Sequence, residues 1–398
     1  MIKKRAVFFV GGFDPKSSTA FFDRMDREIA RFEALWDVDV SHQESNEISK
    51  DVTCTRYRAS GGEAEDRWVS ETDFHFVSLE DIVLQEFAKA FLVRFWRYLV
   101  TFFDYVISGT AFSIIRHGWR FSLYFFYPAV MIAISVIISW LLAGLIAQSG
   151  IQLAWLAAPL VFLVGVFIFA QLLWKRYSVL HLMDLWSFSR DYLRNKNDAI
   201  DAKLNRLADL VALAARSGTY DEIIMVGHST GGALILGAAA KAHQRHADFA
   251  GSSAHVTVLT VGSTALKVGL HPAAEWYRAQ LGDLFSRTDT GWVEYQCLTD
   301  VINFFRTNPA RLMGIDGRMN HPMQIGEIRI KHMIDKQTYA RIRRNFFRVH
   351  YQFVFGNTEK YHYDFPAICF GPAGLQERAQ SPRLFKQSLV TDRQDTHD

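Results

Sequence analysis

The feature that most constrains this chain is an apolar stretch of 54 residues, 121–174, that contains no charged side chain. A break at Gln148–Gly150 divides it into two parts, and each is long enough to cross a bilayer, which takes about 20 apolar residues in a helix. A buried helical hairpin is the alternative interpretation. The tryptophans and tyrosines of the stretch favour the membrane, because such side chains are typical of its interfaces. We therefore predict a transmembrane hairpin over residues 121–174.

Basic residues lie on both sides of the predicted hairpin, whereas the loop between its helices carries no charge. Those before and after it are Arg94, Arg97, Arg116 and Arg120, and then Lys175, Arg176, Arg190 and Arg194. The positive-inside rule places such flanks in the cytoplasm. We therefore predict an integral protein of a bacterial inner membrane, with the lipid bilayer as a partner and the rest of the chain facing the cytoplasm.

The segment next to the hairpin, residues 86–120, combines a wide apolar face with a stripe of polar and basic residues. From Glu86 to about Ser108 the polar positions recur at helical spacing, which predicts one amphipathic helix. Such a helix suits the headgroup plane of a membrane, and we predict amphipathic interfacial helices over 86–120. Packing against a protein core explains the same pattern, so both interpretations stay open.

Strands and helices alternate on both sides of the apolar region, which predicts an α/β domain with a mostly parallel sheet flanked by helices. The predicted strands are Ala6–Val10, Val52–Arg58, Trp68–Val77, Ile223–Val226, His255–Val261, Trp292–Gln296 and Ile325–Ile330. The predicted helices run from Ser17 or Ser18 to about Leu35, over Asp198–Arg216 and Gly232–Ala242, and from about Thr338 to Phe347. The domain is assembled from residues 1–85 and 175–375, and a polar C-terminal tail covers 376–398.

The most informative motif is the pentad Gly227-His-Ser-Thr-Gly231, which is centred on Ser229. The apolar run before it predicts a short buried strand and the small residues after it predict a helix, so a sharp turn joins them at the serine. This segment resembles the nucleophile elbow of the α/β-hydrolase family, which includes lipase-like and esterase-like serine hydrolases. The resemblance implies that Ser229 is a catalytic nucleophile. A glycine–serine turn without chemistry is the alternative interpretation.

A nucleophilic serine needs a base within hydrogen-bond reach and an acid that orients the base. In the hydrolase resemblance the chain order is serine, acid, histidine. Asp300 fits the acid because it follows the second predicted strand after the elbow. Asp289 and Glu294 are weaker candidates, and a cap at the start of a helix is the other interpretation of Asp300.

Three histidines beyond Asp300 are candidates for the base. His350 lies in an aromatic segment, Phe347–Phe353, that resembles the histidine region of several lipase-like hydrolases, and it is the predicted base. His332 directly follows a predicted strand and His362 lies in a predicted loop, so both stay open.

Acyl transfer also needs hydrogen-bond donors for the oxyanion that forms on the attacked carbonyl. The resemblance implies the backbone N–H of Thr230 as one donor and an amide from a loop after an early strand as the other. Here that loop begins with Gly11 and Gly12, so Gly12 or Phe13 is the expected second donor. The histidine that often precedes the glycine in the family is replaced by Val10, but a backbone amide still serves.

These residues together predict a membrane-anchored serine hydrolase that cleaves small-molecule or lipid esters through an acyl-enzyme on Ser229. A non-catalytic membrane adaptor on the same fold and an acyltransferase with the same triad are the alternatives. The net charge of +3 implies no attraction to nucleic acid. The sequence has no metal-binding spacing and no sign of a cofactor, so we expect neither.

Overall fold

The computed structural model describes residues 1–62, 66–152, 154–251 and 254–380. These residues form two compact units, one made of Met1–Leu84 with the described chain from Tyr192 onward, the other of Gln85–Asp191. In chain order, the second unit is thus an insertion into the first. Most of the predicted C-terminal tail, residues 381–398, lies outside the described residues.

The first unit is built on a mixed sheet that has nine strands within the described residues. The strands are β1 (Lys4–Val10), β2 (Asp39–His42), β3 (Asn46–Ser49), β4 (Val52–Gly61), β5 (Trp68–Val77), β6 (Glu222–His228), β7 (His255–Val261), β8 (Gly291–Cys297) and β9 (Gln324–Ile328). Their order across the sheet is β2-β4-β5-β1-β6-β7-β8-β9, with β3 paired to β4. The strands from β5 to β9 in this order are parallel, and β2, β3 and β4 add antiparallel pairs.

The predicted α/β architecture with a mostly parallel sheet is confirmed. Strands β2 and β3 were not predicted, because both are short, largely exposed and rich in polar residues. They pair with β4 at the antiparallel edge of the sheet, away from β6. The missed strands therefore do not alter the neighbours of the strand that leads to Ser229.

The described residues also form helices of one to eight turns. They are α1 (Ser18–Trp36), α2 (Glu80–Phe87), α3 (Phe91–Ile107), α4 (Thr110–His117), α5 (Trp119–Ala147), α6 (Ala154–Phe169), α7 (Val179–Leu193), α8 (Asp198–Arg216), α9 (Gly231–Arg245), α10 (Leu266–Gly269), α11 (Glu275–Arg287), α12 (Pro309–Leu312), α13 (Lys336–Ile342), α14 (Phe346–Tyr351), α15 (Phe365–Phe370) and α16 (Leu375–Gln380). The last of these occupies the start of the predicted tail.

Helices pack on both faces of the sheet. On one face the Phe9 ring of β1 lies 5.1 Å from that of Phe21 on α1 and 5.9 Å from that of Phe365 on α15. On the other face α8, α9 and α11 pack together, and the Tyr277 hydroxyl donates to the Ala233 carbonyl at 3.0 Å. Every residue of β6 is buried between these layers. The end of β6, where Ser229 follows, is therefore in the middle of the sheet.

Two predicted helices are each broken into two. The helix predicted from Glu86 to Ser108 is interrupted at residues 88–90, where Lys89 folds back and its ammonium contacts the Glu86 carboxylate at 2.5 Å. The helix predicted from Thr338 to Phe347 stops after Ile342, and α14 starts afresh behind Asn345. The Asn345 side chain accepts from a first-turn amide at 3.1 Å, and asparagine is among the preferred helix N-caps.

The second unit, taken by itself, has two helices among its described residues that are long and apolar enough to cross a membrane. They are α5 and the run Ala154–Trp174, which consists of α6 and a π-helical last turn. A third would result if α3 and α4, which meet at 70°, counted as one bent span. Large apolar side chains on both helices are exposed, such as Trp140 at 67% and Leu160 at 64%, as expected of surfaces that face lipid.

Helix α3 turns its apolar side outward and its polar side toward the protein. Leu92 and Ile107 are 75% and 82% exposed. Arg94 instead forms a two-point ion pair with Asp184 of α7, its Nε lying 3.0 Å from Oδ1. Arg97 likewise contacts Asp191 at 2.6 Å. The basic stripe of this helix thus binds protein carboxylates, and the apolar face is the one left exposed, the reverse of a helix on a water-soluble protein.

Candidate active site

Ser229 occupies a strained turn between β6 and α9. Its φ of 58° lies in the left-handed region, which a serine adopts only when the surrounding structure holds it there. The Ser229 amide donates to the Val261 carbonyl at 3.2 Å, and the Ser229 carbonyl accepts from the Thr264 amide at 3.0 Å. These bonds fix the turn to the chain that follows β7, so the position of the serine is set by two neighbouring strands.

The two glycines of the pentad are required by close backbone contacts. A Cβ on Gly231 would lie 2.2 Å from the Val10 carbonyl oxygen and 2.4 Å from that of Gly11. A Cβ on Gly227 would lie 2.5 Å from the Gly231 carbonyl oxygen. A larger residue at Gly231 would push the turn away from the end of β1, and one at Gly227 would push β6 away from the start of α9. The glycines therefore bring the loop after β1 against the serine.

His350 and Asp300 form a buried pair. The His350 Nδ1 lies 2.7 Å from Asp300 Oδ2, and the two side chains are 4% and 0% exposed. A carboxylate at Nδ1 fixes the tautomer with the proton on that nitrogen, which leaves the lone pair on Nε2. The His350 Nε2 is buried and has no hydrogen-bond partner among the described residues. The imidazole thus has the arrangement that a general base requires.

Asp300 is held at the end of β8 by the loop that follows the strand. Its Oδ1 accepts from the Ile302 amide at 2.9 Å and closes a turn, while Oδ2 contacts His350. The alternative interpretation of Asp300 as a helix cap is wrong, because the next helix begins only at Pro309. Asn303 closes the same loop by bonding the Cys297 amide, at 3.2 Å, and the Cys297 carbonyl, at 2.9 Å. The sequence analysis did not identify Asn303, whose role depends on the shape of this loop.

His350 and the serine turn both lie against Val261 and Gly262, at the end of β7. A Cβ on Gly262 would lie 3.0 Å from His350 Cε1, and Gly262 follows Val261, whose carbonyl accepts from the serine amide. No hydrogen bond joins Ser229 Oγ to His350 Nε2 in this conformation of the described chain. Hydrogen bonds between catalytic groups are often long or poorly aligned before substrate binds.

His228 lies beside His350 and supports it. The two rings are 4.6 Å apart, and His228 Nε2 is 3.2 Å from the His350 backbone carbonyl, to which it donates as a neutral imidazole. Burial, and then the charge of His350, hold the pKa of His228 well below its usual range. His228 is the second residue of the pentad, and the sequence analysis gave it no role because its partner lies more than a hundred residues away.

The residues predicted as oxyanion donors belong to two backbone segments next to Ser229. Thr230 stands at the N-terminus of α9, where the first amides of a helix have no partner within the helix. Gly12 is close to the serine, since a Cβ built on it would be 3.5 Å from Ser229 Oγ. Phe13, the next residue, is buried. The loop after β1 is therefore at the serine, as the sequence analysis expected.

The remaining candidates lie elsewhere. The exposed ring of His332 stacks on Tyr361 at 6.3 Å, and His362 lies against the same tyrosine at 4.1 Å. Asp289 is on the surface, 3.4 Å from His321. Glu294 is buried but accepts from Thr260 at 2.8 Å and from Gln296 at 2.7 Å. None of the four contacts the pair of His350 and Asp300 within the described residues.

A buried lysine next to the turn was not predicted. Lys267 is 0% exposed, and its ammonium donates to the Thr230 hydroxyl at 2.9 Å. Burial lowers the pKa of Lys267 to about 7. Its local sequence, a short helix after β7, carries no signal of this contact. Lys267 thus fixes the side chain of the residue whose amide is the first expected oxyanion donor.

No family model, curated protein or solved structure matches this chain. The resemblance of the pentad to a hydrolase elbow therefore stays an interpretation of the sequence. In the part of the chain that the structure describes, no cluster of three or more His, Cys, Asp or Glu side chains is placed to hold a metal ion. The function has to be argued from the geometry around Ser229.

Proposed function

We propose that this protein is a membrane-anchored serine hydrolase that cleaves an ester through an acyl-enzyme on Ser229. The observation that carries the proposal is the pair of His350 and Asp300, 2.7 Å apart, which leaves a buried and unpartnered imidazole nitrogen near the strained serine. Leaving a buried nitrogen unsatisfied and holding a serine at positive φ both cost free energy. Chemistry at the serine gives a reason for both costs.

In the proposed reaction His350 Nε2 takes the proton of the Ser229 hydroxyl, and Oγ attacks the ester carbonyl. The amides of Thr230 and of Gly12 or Phe13 stabilise the oxyanion. His350 then gives its proton to the departing alcohol. Water, deprotonated by the same nitrogen, attacks the acyl-enzyme. The acid leaves as His350 returns this proton to Ser229 Oγ, which restores the free enzyme. Asp300 orients the imidazole and stabilises its charged form throughout.

The placement of the groups on the sheet supports an α/β-hydrolase fold. The serine follows β6, the acid follows β8, the histidine lies after β9, and the amide loop follows β1, which is adjacent to β6. This is the serine, acid, histidine order of that family, with the donor loop after an early strand. The strand–turn–helix passage at Ser229 adds a local agreement.

The apolar helices α5 and α6 support membrane anchoring in a bacterial inner membrane. With basic residues on both flanks of this hairpin, we place the catalytic unit in the cytoplasm. An active site tied to a bilayer favours lipid or acyl esters as substrates, and this part of the proposal rests on location.

Labelling of the serine tests the proposal. A fluorophosphonate probe should label the wild-type protein in native membranes and leave Ser229→Ala unlabelled, while Ser286→Ala on α11 serves as the matched control and should label normally. Absence of label on the wild type, or equal label on Ser229→Ala, would contradict the proposal and favour a non-catalytic adaptor. Product analysis with added glycerol separates hydrolysis, which gives free acid, from transfer to an alcohol.

A further inference from the structure

A cleft lined by two cations opens beside the candidate active site. It contains about 370 Å³ of empty space, part of it open to solvent. Gly12 and His228, which both adjoin Ser229, form part of its wall. The lining residues with polar side chains are Asp14, Lys16, Arg24, His228 and Tyr351. The remaining wall is largely apolar, so a bound group would be partly withdrawn from water.

Arg24 is the unexplained group of this cleft. The residue is 8% exposed, and its Nε is buried without a hydrogen-bond partner. Its guanidinium carbon lies 4.9 Å from the ring centre of Phe21 and 5.5 Å from that of Phe355. Among the described residues no carboxylate forms an ion pair with it. A buried charge is ordinarily paired, because removing it from water is costly.

The nearby carboxylates are already engaged with other groups. Asp14 accepts from the Tyr351 hydroxyl at 2.5 Å and lies 3.5 Å from the Lys16 ammonium. Glu28 accepts from Arg31 at 2.6 Å and from the Gly356 amide at 2.9 Å. Counting these side chains, three cations face two carboxylates. The cleft therefore has an excess of positive charge centred on Arg24 and Lys16.

We propose that this cleft binds an oxyanion, a carboxylate or a phosphate, that belongs to the ester attacked by Ser229, and that Arg24 and Lys16 are its binding groups. The inference rests on the proposed function and adds the substrate class: an ester with an anionic group a few bonds from the reacting carbonyl. Guanidinium groups suit this task, because their paired N–H donors match two oxygens of a carboxylate or phosphate.

The electrostatics of the cleft favour the binding of an anion. Burial lowers the pKa of Arg24, and burial followed by the charge of Arg24 lowers the pKa of Lys16. The same two cations contribute to the lowered pKa of His228, so their field reaches the side chains next to the serine. A bound oxyanion would offset all three effects at once.

Chain connectivity links this cleft to the reaction centre. Lys16 and Gly12 belong to one loop, which is folded by hydrogen bonds from the Asp14 amide to the Gly12 carbonyl, at 2.9 Å, and from the Lys16 amide to the Asp14 carbonyl, at 2.8 Å. Arg24 follows on the second turn of α1. The segment that offers an oxyanion donor to the ester carbonyl therefore also carries the cations.

Two esters of equal chain length test the inference on the full-length protein in detergent. They are p-nitrophenyl pentanoate and p-nitrophenyl hydrogen glutarate, whose acyl chain ends in a carboxylate. We expect kcat/KM of the wild type to favour the anionic ester by about 10- to 100-fold, as for a charge-assisted hydrogen bond in a partly buried site. Arg24→Gln should remove this preference and Lys16→Gln should reduce it, with the preference taken as the ratio of kcat/KM for the two esters within each variant.

The matched control is Arg27→Gln on the exposed side of α1, which should retain the preference. Binding is measured separately on Ser229→Ala by thermal shift with inorganic phosphate and with glutarate. A ligand-induced increase in Tm that is absent when Arg24→Gln is added supports the site. An increase with phosphate indicates a phosphate site, and an increase with glutarate indicates a carboxylate site.

The outcomes separate the two proposals. If the wild type cleaves neither ester but binds an anion through Arg24, the hydrolase proposal fails and the anion site stands. If it cleaves pentanoate while Arg24→Gln changes neither the preference nor anion binding, the anion site is wrong and the hydrolase proposal stands. Arg24→Lys keeps the positive charge and should retain part of the preference for the anionic ester. That result would show that the loss of preference in Arg24→Gln comes from the lost charge and not from unfolding.

Discussion

At the scale of single residues, Ser229 is one of five residues other than glycine that have a positive φ in the described part of the chain. A positive φ costs a residue other than glycine about 1–3 kcal/mol. The close approach of Gly227 and Gly231 to their neighbours leaves the turn no other conformation. The strain is thus sustained by contacts between backbone atoms, which cannot adjust as side chains can.

We expect Gly231→Ala to destabilise the protein by about 3 kcal/mol, because its Cβ would lie 2.2 Å from the Val10 carbonyl oxygen. Thermal unfolding of the detergent-solubilised protein measures the change. Gly317→Ala is the control, since a Cβ there meets nothing within 4 Å. Equal Tm values for the two variants would show that the turn is more accommodating than the structure indicates.

Asp300→Asn should lower kcat for ester hydrolysis by about 10⁴-fold with little change in KM, because the amide favours the wrong tautomer of His350. Hydrolysis of p-nitrophenyl butyrate is the measurement. His332→Asn and His362→Asn should stay within a few-fold of wild type, since neither ring contacts the pair. A full loss in either control together with an active His350→Asn would move the base to another histidine.

Glu294 should make stability fall with rising pH. Burial raises its pKa from 4.5 to about 7 in the folded protein. Between pH 4.5 and about 7 the Glu294 carboxyl is ionised in the unfolded chain but protonated in the folded protein. The free energy of unfolding therefore falls as the pH rises through about 7. Glu294→Gln removes this effect. The Tm of the variant minus that of wild type should therefore increase from pH 5 to pH 8, and the corresponding change in the free energy of unfolding is up to about 3 kcal/mol.

The control for this pH dependence is Glu327→Gln on the exposed edge strand β9. A constant Tm difference between Glu294→Gln and wild type across the range would mean that Glu294 is ionised in the folded protein at low pH.

The site residues were predictable where they follow a motif or the chain order, and unpredictable where they depend on distant contacts. Ser229 stands in a recognisable pentad, and Asp300 was placed by its position after a strand. His350 had to be chosen from three histidines, because the sequence does not show which of them packs against that strand end. Arg24 gave no signal in the sequence, because the burial of its Nε without a hydrogen bond among the described residues is a property of the folded cleft.

At the scale of secondary structure, α3 illustrates how an amphipathic pattern can be read in two ways. Its periodicity predicts one apolar and one polar side but not which of them faces the protein. Ion pairs with α7 decide this, and they involve residues about ninety positions apart in the sequence. The breaks after Phe87 and Ile342 were likewise missed, because the apolar pattern continues across both.

We expect Asp184→Asn to destabilise the second unit by about 3 kcal/mol, because it leaves Arg94 beside a buried site with no opposite charge. The Asp184 side chain is 1% exposed and that of Arg94 is 15% exposed. Thermal unfolding in detergent provides the measurement. The double variant Arg94→Met with Asp184→Leu should be less unstable than Asp184→Asn alone. If it is more unstable, the ion pair itself is a net source of stability.

The control is Asp316→Asn, which breaks a surface pair with Arg311 whose side chains are 38% and 75% exposed. Its effect should stay below about 1 kcal/mol.

At the scale of the whole molecule, the predicted topology has both chain ends in the cytoplasm. Green fluorescent protein, which fluoresces only when it folds in the cytoplasm, should fluoresce when fused after Asp398. Alkaline phosphatase, which is active only outside the cytoplasm, should be active when inserted at Gly150, between the two spans. An external signal from the fusion at Asp398 would reverse the orientation.

The insertion of the second unit also sets an order of events during synthesis. Strand β1 cannot meet β6, its neighbour in the sheet, until more than two hundred residues have been made, since Arg5 pairs with Glu222. The apolar hairpin leaves the ribosome before that point. A chain released into the bilayer through this hairpin would therefore be tethered before Ser229 exists as a synthesised residue. The chemistry that we propose for Ser229 would then begin only in molecules already confined to the bilayer.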